Sequence, residues 1–273
     1  MKNCDVFIPE SLGWSENDSG LYNKVSQGEI TAEQALPLLD NSGYPDFTLG
    51  QLEALYQSKK TVKFIDTPKG APYSSVVDLY DSMLPFFTDF DDALDNLRQS
   101  QERFIQNYVI NREKHMQEQL NKLIAELSVS NPGKDLKILL QLGYNHRSFY
   151  KDLKSADAGS LEVSAKYLVS VFPYAYSDEF GARFLKNKEI DKDLLAKCWL
   201  ERNLEQIVAV PDDSIKYIKY MRKMTGAFST PEISAIFDRV KAGEDLAKIL
   251  PPILQEKNLI FPDSKEVWEK IAA

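Results

Sequence analysis

Four short apolar runs along the chain have the length and punctuation of β-strands. They cover residues 5–8, 61–65, 135–142 and 167–172. Runs bounded in this way by Pro, Gly or Asp predict strands, and the third run, which leads into a helical pattern, predicts a buried strand of a parallel sheet. The first run begins so abruptly that we expect it to lie at a sheet edge or beside an element missing from this sequence.

Helical patterns separate these runs. After a loop that follows the first strand, the periodicity predicts helices at 32–39, 49–58 and 89–127. Thr31 and Thr48 each stand three residues before a glutamine. That spacing is typical of a capping box, in which the glutamine side chain reaches back to the first residue of the helix.

The long predicted helix carries an apolar stripe with one charged position. The stripe consists of Ile105, Val109, Met116, Leu120, Leu123 and Leu127. Arg112 falls within it and Glu113 borders it. An unpaired charge on a core-facing stripe is costly, so we expect Arg112 to pair with a carboxylate or to line a polar cleft. His115 lies on the polar side of the same helix and is expected to be solvated.

From residue 177 onward the chain is predominantly helical. Thr230 as cap with Pro231 at the first helical position predicts one helix start. Two apolar faces in this region are expected to pack in a helical core; they contain Tyr217, Ile218, Tyr220, Met221, Met224, Ile233, Ile236, Phe237 and Val240. The pattern therefore predicts an α/β domain at residues 1–176, with a mostly parallel central sheet flanked by helices, and an all-helical region at residues 177–273.

Composition narrows the class of protein. The chain has 273 residues, 43% of them hydrophobic, which is enough to bury a full core. A net charge of -8 and a pI near 5.0, with scattered basic residues, disfavour a nucleic acid or an anionic membrane as partner. No apolar run has the length of a membrane span or a secretory signal, so we expect a cytoplasmic location. Cys4 and Cys198 are too few for a disulfide framework and are expected to be reduced.

Polar residues follow three of the predicted strands at their carboxyl ends. Glu10 follows the first strand, Asp66 the second, and His146 the third. Open α/β sheets bind ligands at the carboxyl ends of parallel strands, which makes these residues candidates for a site. Gly143 would let the backbone turn sharply or approach a ligand closely, and His146 would lie at the mouth of that crevice. The alternative is a turn glycine and a histidine that only begins a helix.

The order of these parts resembles the superfamily that groups TraB/PrgY pheromone-shutdown proteins, Tiki peptidases, ChaN-type haem-uptake lipoproteins and erythromycin esterases. Its members resemble one another in a glutamate after an early strand, an Arg-Asn/Asp-x-x-Met helix motif and a late Gly-x-x-His. Glu10 matches the glutamate, Arg112 and Met116 match the helix motif with Glu113 at its second position, and His146 matches the late histidine.

The resemblance covers residues 5–172, with one departure. The family pattern also has a Gly-x-x-His on the strand before the glutamate, and this sequence contains none. Tiki-like members are implied to bind a divalent metal through two histidines and the glutamate, and esterase-like members to act on water. For this chain the resemblance implies a manganese, zinc or cobalt site at His146 and Glu10, completed by Asp66 or Glu113. That oxygen-rich set suits manganese better than zinc.

The first functional hypothesis is a hydrolase, dependent on a metal or on the His/Glu pair, that acts on a small molecule or a peptide. His146 would be its general base or metal ligand, Glu10 a base or ligand, and Arg112 a clamp on a carboxylate or a developing oxyanion. The candidates for binding the substrate are Asp66, Glu113, Gly143, Tyr144 and Asn145. The absent histidine makes a truncated or degenerate enzyme part of this hypothesis.

Two alternatives from other classes stay open. The first is a protein that binds a small molecule, a haem or a metal on the same fold without turnover, with His146 as a haem ligand and Tyr144 or Tyr150 beside it. The second is a protein-interaction module formed by residues 177–273 on an inert scaffold. The oligomeric state is left open by all three hypotheses.

Overall fold

A computed structural model of the chain describes residues 4–42, 45–71, 89–143, 146–155, 162–164, 166, 175–210 and 214–271. The chain divides into two compact units, each built from two stretches of sequence. The first consists of Met1–Tyr80 and Phe104–Leu168, and the second of Asp81–Arg103 and Val169–Ala273. Residues 81–103 therefore belong to the second unit, whereas the sequence pattern placed them in the α/β domain. The predicted strand at 167–172 lies outside the described residues.

The first unit is built on a small parallel sheet of three strands in the order β2–β1–β3. The strands are β1 at Val6–Ile8, β2 at Thr61–Val62 and β3 at Ile138–Leu140. Val6 pairs with Thr61 on one side and with Ile138 on the other. All pairs are parallel, so the carboxyl ends of the three strands lie at one edge of the sheet. The predicted α/β class with a parallel sheet is confirmed.

Helices cover both faces of the sheet because successive residues of a strand point to opposite sides. Phe7 packs into one cluster with side chains of three helices: α1 at Glu16–Gln27, α2 at Ala32–Ala35 and α3 at Pro45–Leu55. Val6 and Ile8 pack on the other side against α5 at Arg112–Ser130 and α6 at Arg147–Ser155. All three residues of β1 are at most 2% exposed. The first strand is therefore the centre of this unit.

The positions of β1 and β3 in the sheet bear on two strand predictions. β1, expected at a sheet edge or beside an element missing from this sequence, lies in the middle of the described sheet and not at its edge. β3, predicted as a buried strand, is an edge strand of that sheet, and its Leu139 is 39% exposed. A run of apolar residues predicts that a strand is present. Its position in the sheet depends on which distant strands pair with it.

The helix starts predicted for the first unit are confirmed in part. Thr31 forms the predicted capping box with Gln34, and α2 continues into a short 3-10 helix at Leu36–Leu38. The box predicted at Thr48 is wrong, since Thr48 lies inside α3. Helix α1 was expected to be a loop; its signal is the capping box of Ser15 with Asp18.

The long predicted helix is present but irregular. It begins as α4 at Phe90–Phe104, continues as a π-helix at Ile105–Asn111 and ends as α5. The predicted stripe is buried, with Ile105, Val109 and Met116 at most 5% exposed. Arg112, the first residue of α5, is 1% exposed. The prediction that this charge lies on the buried face is confirmed.

The second unit is helical throughout its described part. Besides α4 it contains α7 at Tyr176–Phe184, α8 at Lys192–Glu205, α9 at Ser214–Gly226, α10 at Thr230–Lys241, α11 at Leu246–Glu256 and α12 at Lys265–Ile271. Phe90, Trp199 and Phe237 form an aromatic cluster with centroids 5.4–6.1 Å apart. Met221 and Met224 are buried, as predicted for a helix-packing face. The cap of α10 is Ser229, one residue before the predicted Thr230.

Glu201 on α8 fixes the start of α7. Its Oε2 atom accepts hydrogen bonds from the backbone N–H groups of Tyr176 and Ser177, at 2.8 and 3.2 Å. Ala175, the cap residue of α7, has no side-chain acceptor, so Glu201 serves as a cap from a neighbouring helix. Burial raises the pKa of Glu201 to about 7, against the effect of these two N–H donors.

Two expectations from the composition concern the cysteines and membrane-spanning segments. Cys4 and Cys198 are both buried, and neither forms a disulfide, so both are reduced as expected. Among the helices that the structure describes, none combines the length and the apolar character that crossing a bilayer requires.

Candidate functional site

Three charged side chains converge where the strands of the sheet end. Glu10 follows β1, Asp66 follows β2, and His146 follows β3. Arg112 joins them from the start of α5, so the cluster combines residues that are far apart in sequence. The three strand ends lie together because the strands are parallel neighbours in the sheet.

Arg112 is held by a side-on pair with Asp66. Its Nε donates to Asp66 Oδ1 at 2.7 Å, and its Nη2 donates to Asp66 Oδ2 at 2.5 Å. Asp66 also accepts from the backbone N–H of Ser11 at 3.2 Å and of Thr67 at 2.7 Å. The predicted pairing of Arg112 with a carboxylate is confirmed. With the side chain 0% exposed, the carboxylate of Asp66 faces Arg112 and the loop after β1.

Glu10 is the acidic residue of the cluster that reaches solvent, with its side chain 25% exposed. Its Oε1 accepts from Arg112 Nη2 at 3.0 Å and lies 3.1 Å from His146 Nε2. Its Oε2 accepts a hydrogen bond from the backbone N–H of Gly143. Both carboxylate oxygens are therefore engaged, and Glu10 connects the loops that follow β1 and β3.

The backbone of Gly143 lies close to the carboxylate of Glu10. A Cβ atom built on Gly143 would lie 2.8 Å from Glu10 Oε2, which is too near for an ordinary contact. The carbonyl of Gly143 accepts the backbone N–H of His146 at 3.1 Å, which closes a turn between the two residues. The predicted close approach is thus made by the protein's own carboxylate.

His146 lies between two carboxylates. Its Nδ1 is 3.1 Å from Glu113 Oε1 and its Nε2 is 3.1 Å from Glu10 Oε1, with the side chain 1% exposed. Burial alone would lower the pKa of His146, but the hydrogen bonds to Glu10 and Glu113 raise it to about 9. Near neutral pH the ring is therefore protonated and donates to both acids.

The charge of Glu10 complements that of His146. Burial by itself would raise the pKa of Glu10, but the hydrogen bond and charge of His146, the charge of Arg112 and the N–H of Gly143 lower it to about 2. Asp66 raises the pKa of Arg112 against the effect of burial. The resting site therefore contains a guanidinium and an imidazolium in direct contact with carboxylates.

The other predicted site residues have distinct positions. Glu113 is buried, and its described hydrogen-bond partner at the site is His146. Asp66 accepts two hydrogen bonds from the guanidinium of Arg112. Tyr144 and Asn145 lie outside the described residues. His115, predicted to be solvated, is partly exposed.

The arrangement does not fit a divalent cation. Both ring nitrogens of His146 face carboxylates, and the guanidinium of Arg112 contacts Glu10 and Asp66, where a metal would compete with a fixed positive charge. Within the described ranges, no set of three or more His, Cys, Asp and Glu side chains has a metal-binding arrangement. Zinc sites usually include ring nitrogens with a free lone pair, whereas both ring nitrogens of His146 are hydrogen-bonded to carboxylates.

Tyr108 is a residue near the site that the sequence analysis missed. The Cζ atom of Arg112 lies 4.8 Å from the centroid of the Tyr108 ring. Burial raises the pKa of Tyr108, Arg112 opposes this shift, and the charges of Glu10 and Asp66 add to it. The available signal was an aromatic residue four positions before Arg112, which is a neighbouring position on a helix.

We expect Gly143→Ala to lower the free energy of unfolding by about 1–3 kcal/mol, because the new methyl group displaces the Glu10 carboxylate. Urea denaturation of the variant and of wild type measures this loss. Gly50→Ala is the matched control, since a Cβ there meets no atom within 4 Å and Gly50 lies inside α3. Equal losses in the two variants would contradict the close approach.

Comparisons of this chain with models of protein families, with curated proteins and with solved structures gave no match.

Proposed function

We propose that the chain is a hydrolase that uses Glu10 and His146 as an acid–base pair, without a metal, and Arg112 to stabilise negative charge. The observation that carries this proposal is the convergence of these three side chains at the carboxyl ends of a parallel sheet, the usual place of ligands in α/β folds. The resemblance to the TraB, ChaN and erythromycin esterase superfamily supports the same class of reaction.

The electrostatics favour a division of labour within the pair. His146 carries the proton near neutral pH and is the proton donor, while the partly exposed Glu10 carboxylate is the acceptor. Glu10 takes a proton from water as the water oxygen bonds to the carbonyl carbon of an ester. The bond to the leaving oxygen then breaks, and that oxygen takes the proton of His146. Return of the proton from Glu10 to His146 across 3.1 Å restores the site.

Arg112 connects substrate binding to the basicity of Glu10. Its Nη2 now donates to Glu10, which keeps the pKa of Glu10 low. A substrate oxygen that binds the guanidinium shares its positive charge, which weakens that bond and makes Glu10 a better proton acceptor. The same guanidinium stabilises the oxyanion that forms on the substrate.

The haem-binding alternative has less support from this geometry. An axial haem ligand needs a ring nitrogen with a free lone pair, whereas Glu10 and Glu113 keep both ring nitrogens of His146 protonated near neutral pH. The interaction-module alternative also has less support, since the apolar face predicted in α9 is largely used in packing: Met221 and Met224 are at most 2% exposed.

The test is hydrolysis of p-nitrophenyl acetate and p-nitrophenyl butyrate by the full chain in the presence of a chelator. We expect saturable hydrolysis by wild type and a kcat lower by about 10²- to 10⁴-fold in Glu10→Gln and His146→Asn, because each variant removes a proton-transfer group. Thermal unfolding of each variant shows that it is folded.

His115→Asn is the matched control, because His115 is the other histidine of the chain and lies outside the cluster. Its kcat should equal that of wild type. Hydrolysis that survives in His146→Asn would refute the assignment, and so would an inactive wild type. Calorimetric titration with manganese, zinc and cobalt distinguishes the metal-dependent version: saturable binding lost in His146→Ala would replace the metal-free mechanism.

A further inference from the structure

An aromatic pair covers the guanidinium of Arg112. The ring of Tyr108 faces Arg112 at 4.8 Å and stacks on Phe104, with centroids 4.8 Å apart and an interplanar angle of 20°. A guanidinium over an aromatic face is attracted by the ring quadrupole, and more strongly where water is excluded. Because the Tyr108 ring contacts both Phe104 and Arg112, its orientation is constrained.

The backbone that carries Tyr108 is unusual. Ile105–Asn111 forms a π-helix of 7 residues directly before Arg112. Such i to i+5 segments are mostly single-turn bulges inside α-helices, and they occur frequently at functional sites. Tyr108 lies within this segment, four residues before Arg112, and its ring contacts the guanidinium on the same side of the helix.

One donor of Arg112 has no acceptor among the described residues. Its Nη1 atom is buried without a hydrogen-bond partner there. Nε and Nη2 face Asp66, and the second N–H of Nη2 points to Glu10. Because a guanidinium is planar with five N–H groups in a fixed fork, one N–H of Nη1 points nearly parallel to the bond toward Glu10. An oxygen bound there lies beside the Glu10 carboxylate.

The charge balance of the cluster bears on the ligand. Among the described side chains of the cluster, Glu10, Asp66 and Glu113 face Arg112 and His146, so three acids meet two bases even with a protonated histidine. An anionic ligand would therefore be repelled by the excess negative charge of this partly buried cluster. An uncharged carbonyl oxygen, which becomes negative only during the reaction, avoids that cost in the bound ground state.

We propose that Tyr108 is a positioning residue that holds Arg112 so that Nη1 binds the carbonyl oxygen of an uncharged ester. The ester part rests on the hydrolase function proposed above. The positioning part concerns the resting protein and can be tested without a substrate.

The first arm of the experiment is water exchange of the Arg112 Nε proton, followed by NMR in ¹⁵N-labelled full-length protein. We expect Tyr108→Leu to speed this exchange by about tenfold or more, because the guanidinium loses its cover, and Tyr108→Phe to change it by less than about threefold. Loss of the signal in Arg112→Lys assigns it. Unchanged exchange in Tyr108→Leu would overturn the positioning role.

Two controls separate this effect from unfolding. The indole N–H of Trp14 donates to the backbone carbonyl of Asp66 at 2.7 Å and reports on the same loops. Its exchange should stay at the wild-type rate in Tyr108→Leu. Tyr56→Leu removes a tyrosine that is 39% exposed in the same unit and should leave both signals unchanged.

The second arm is kinetic, with p-nitrophenyl acetate and its anionic analogue p-nitrophenyl hydrogen succinate. We expect Tyr108→Leu to lower kcat on the acetate by about 10- to 100-fold with KM within about threefold, because the loss falls on transition-state charge. Wild type should prefer the uncharged ester. Equal kcat in Tyr108→Leu, or preference for the succinate, would overturn the proposal. An inactive wild type would refute the hydrolase function and the ester part, while the exchange arm still decides the role of Tyr108.

Discussion

Arg112→Ala is expected to lower the free energy of unfolding by about 3–5 kcal/mol, because it leaves the carboxylate of Asp66 buried without its partner. Asp66 is 1% exposed, and the two short bonds from Nε and Nη2 are its contacts with a positive charge. Urea denaturation near neutral pH measures the loss. Failure of the variant to fold would agree with the prediction if the control folds normally.

The matched control is Arg239→Ala. Arg239 pairs with Glu244 at 2.6 Å, but its side chain is 46% exposed and that of its partner 48%. Exposed pairs contribute little, so a change of less than about 0.5 kcal/mol is expected. A similarly small change in Arg112→Ala would show that the strand-end cluster does not support the fold.

A loss of stability at alkaline pH is the second large expected effect, and it comes from His146. Its pKa is raised from 6.5 in the unfolded chain to about 9 in the fold by Glu10 and Glu113, so its contribution is complete below pH 6.5 and is lost as the pH rises through about 9. The difference in pKa corresponds to about 3 kcal/mol. Glu10 affects stability at acidic pH. Its contribution to the free energy of unfolding is present above pH 4.5 and is lost as the pH falls toward about 2.

Urea denaturation over this pH range, with a chelator present, compares wild type with His146→Gln. The difference between the two proteins should shrink from neutral to alkaline pH, since the glutamine carries no proton to lose. His115→Gln should follow the wild-type curve. Parallel curves for wild type and His146→Gln would mean that the folded protein holds His146 uncharged.

The cluster explains why a charged residue can occupy an apolar helical stripe. Arg112 lies between Val109 and Met116 on the buried side of the helix, and its charge is matched by Asp66 and Glu10. Its pairing follows from the sequence because an unpaired buried charge is so costly. Which carboxylate it meets does not follow, because Asp66 is 46 residues away and Glu10 is 102 residues away.

Three features of the fold were not predicted from the sequence. The helix α1 was missed because its apolar residues are sparse, although Ser15 and Asp18 form a clear capping box. The place of β1 at the centre of the sheet was missed because strand order depends on long-range pairing. Tyr108 is four residues before Arg112 and therefore a neighbour on a helix, but its contact with the guanidinium depends on side-chain positions that only the folded helix sets.

The sequence by itself determined the class of fold, the candidate residues at the strand ends and the burial of Arg112. These depend on local periodicity and on the rule that parallel strands bring their carboxyl ends together. The tertiary structure decided that His146 lies between Glu10 and Glu113, that Asp66 holds Arg112, and that the cluster forms ion pairs where a metal site was considered. Protonation and metal fit depend on distances of about 3 Å between residues far apart in the chain, and only the packed fold sets those distances.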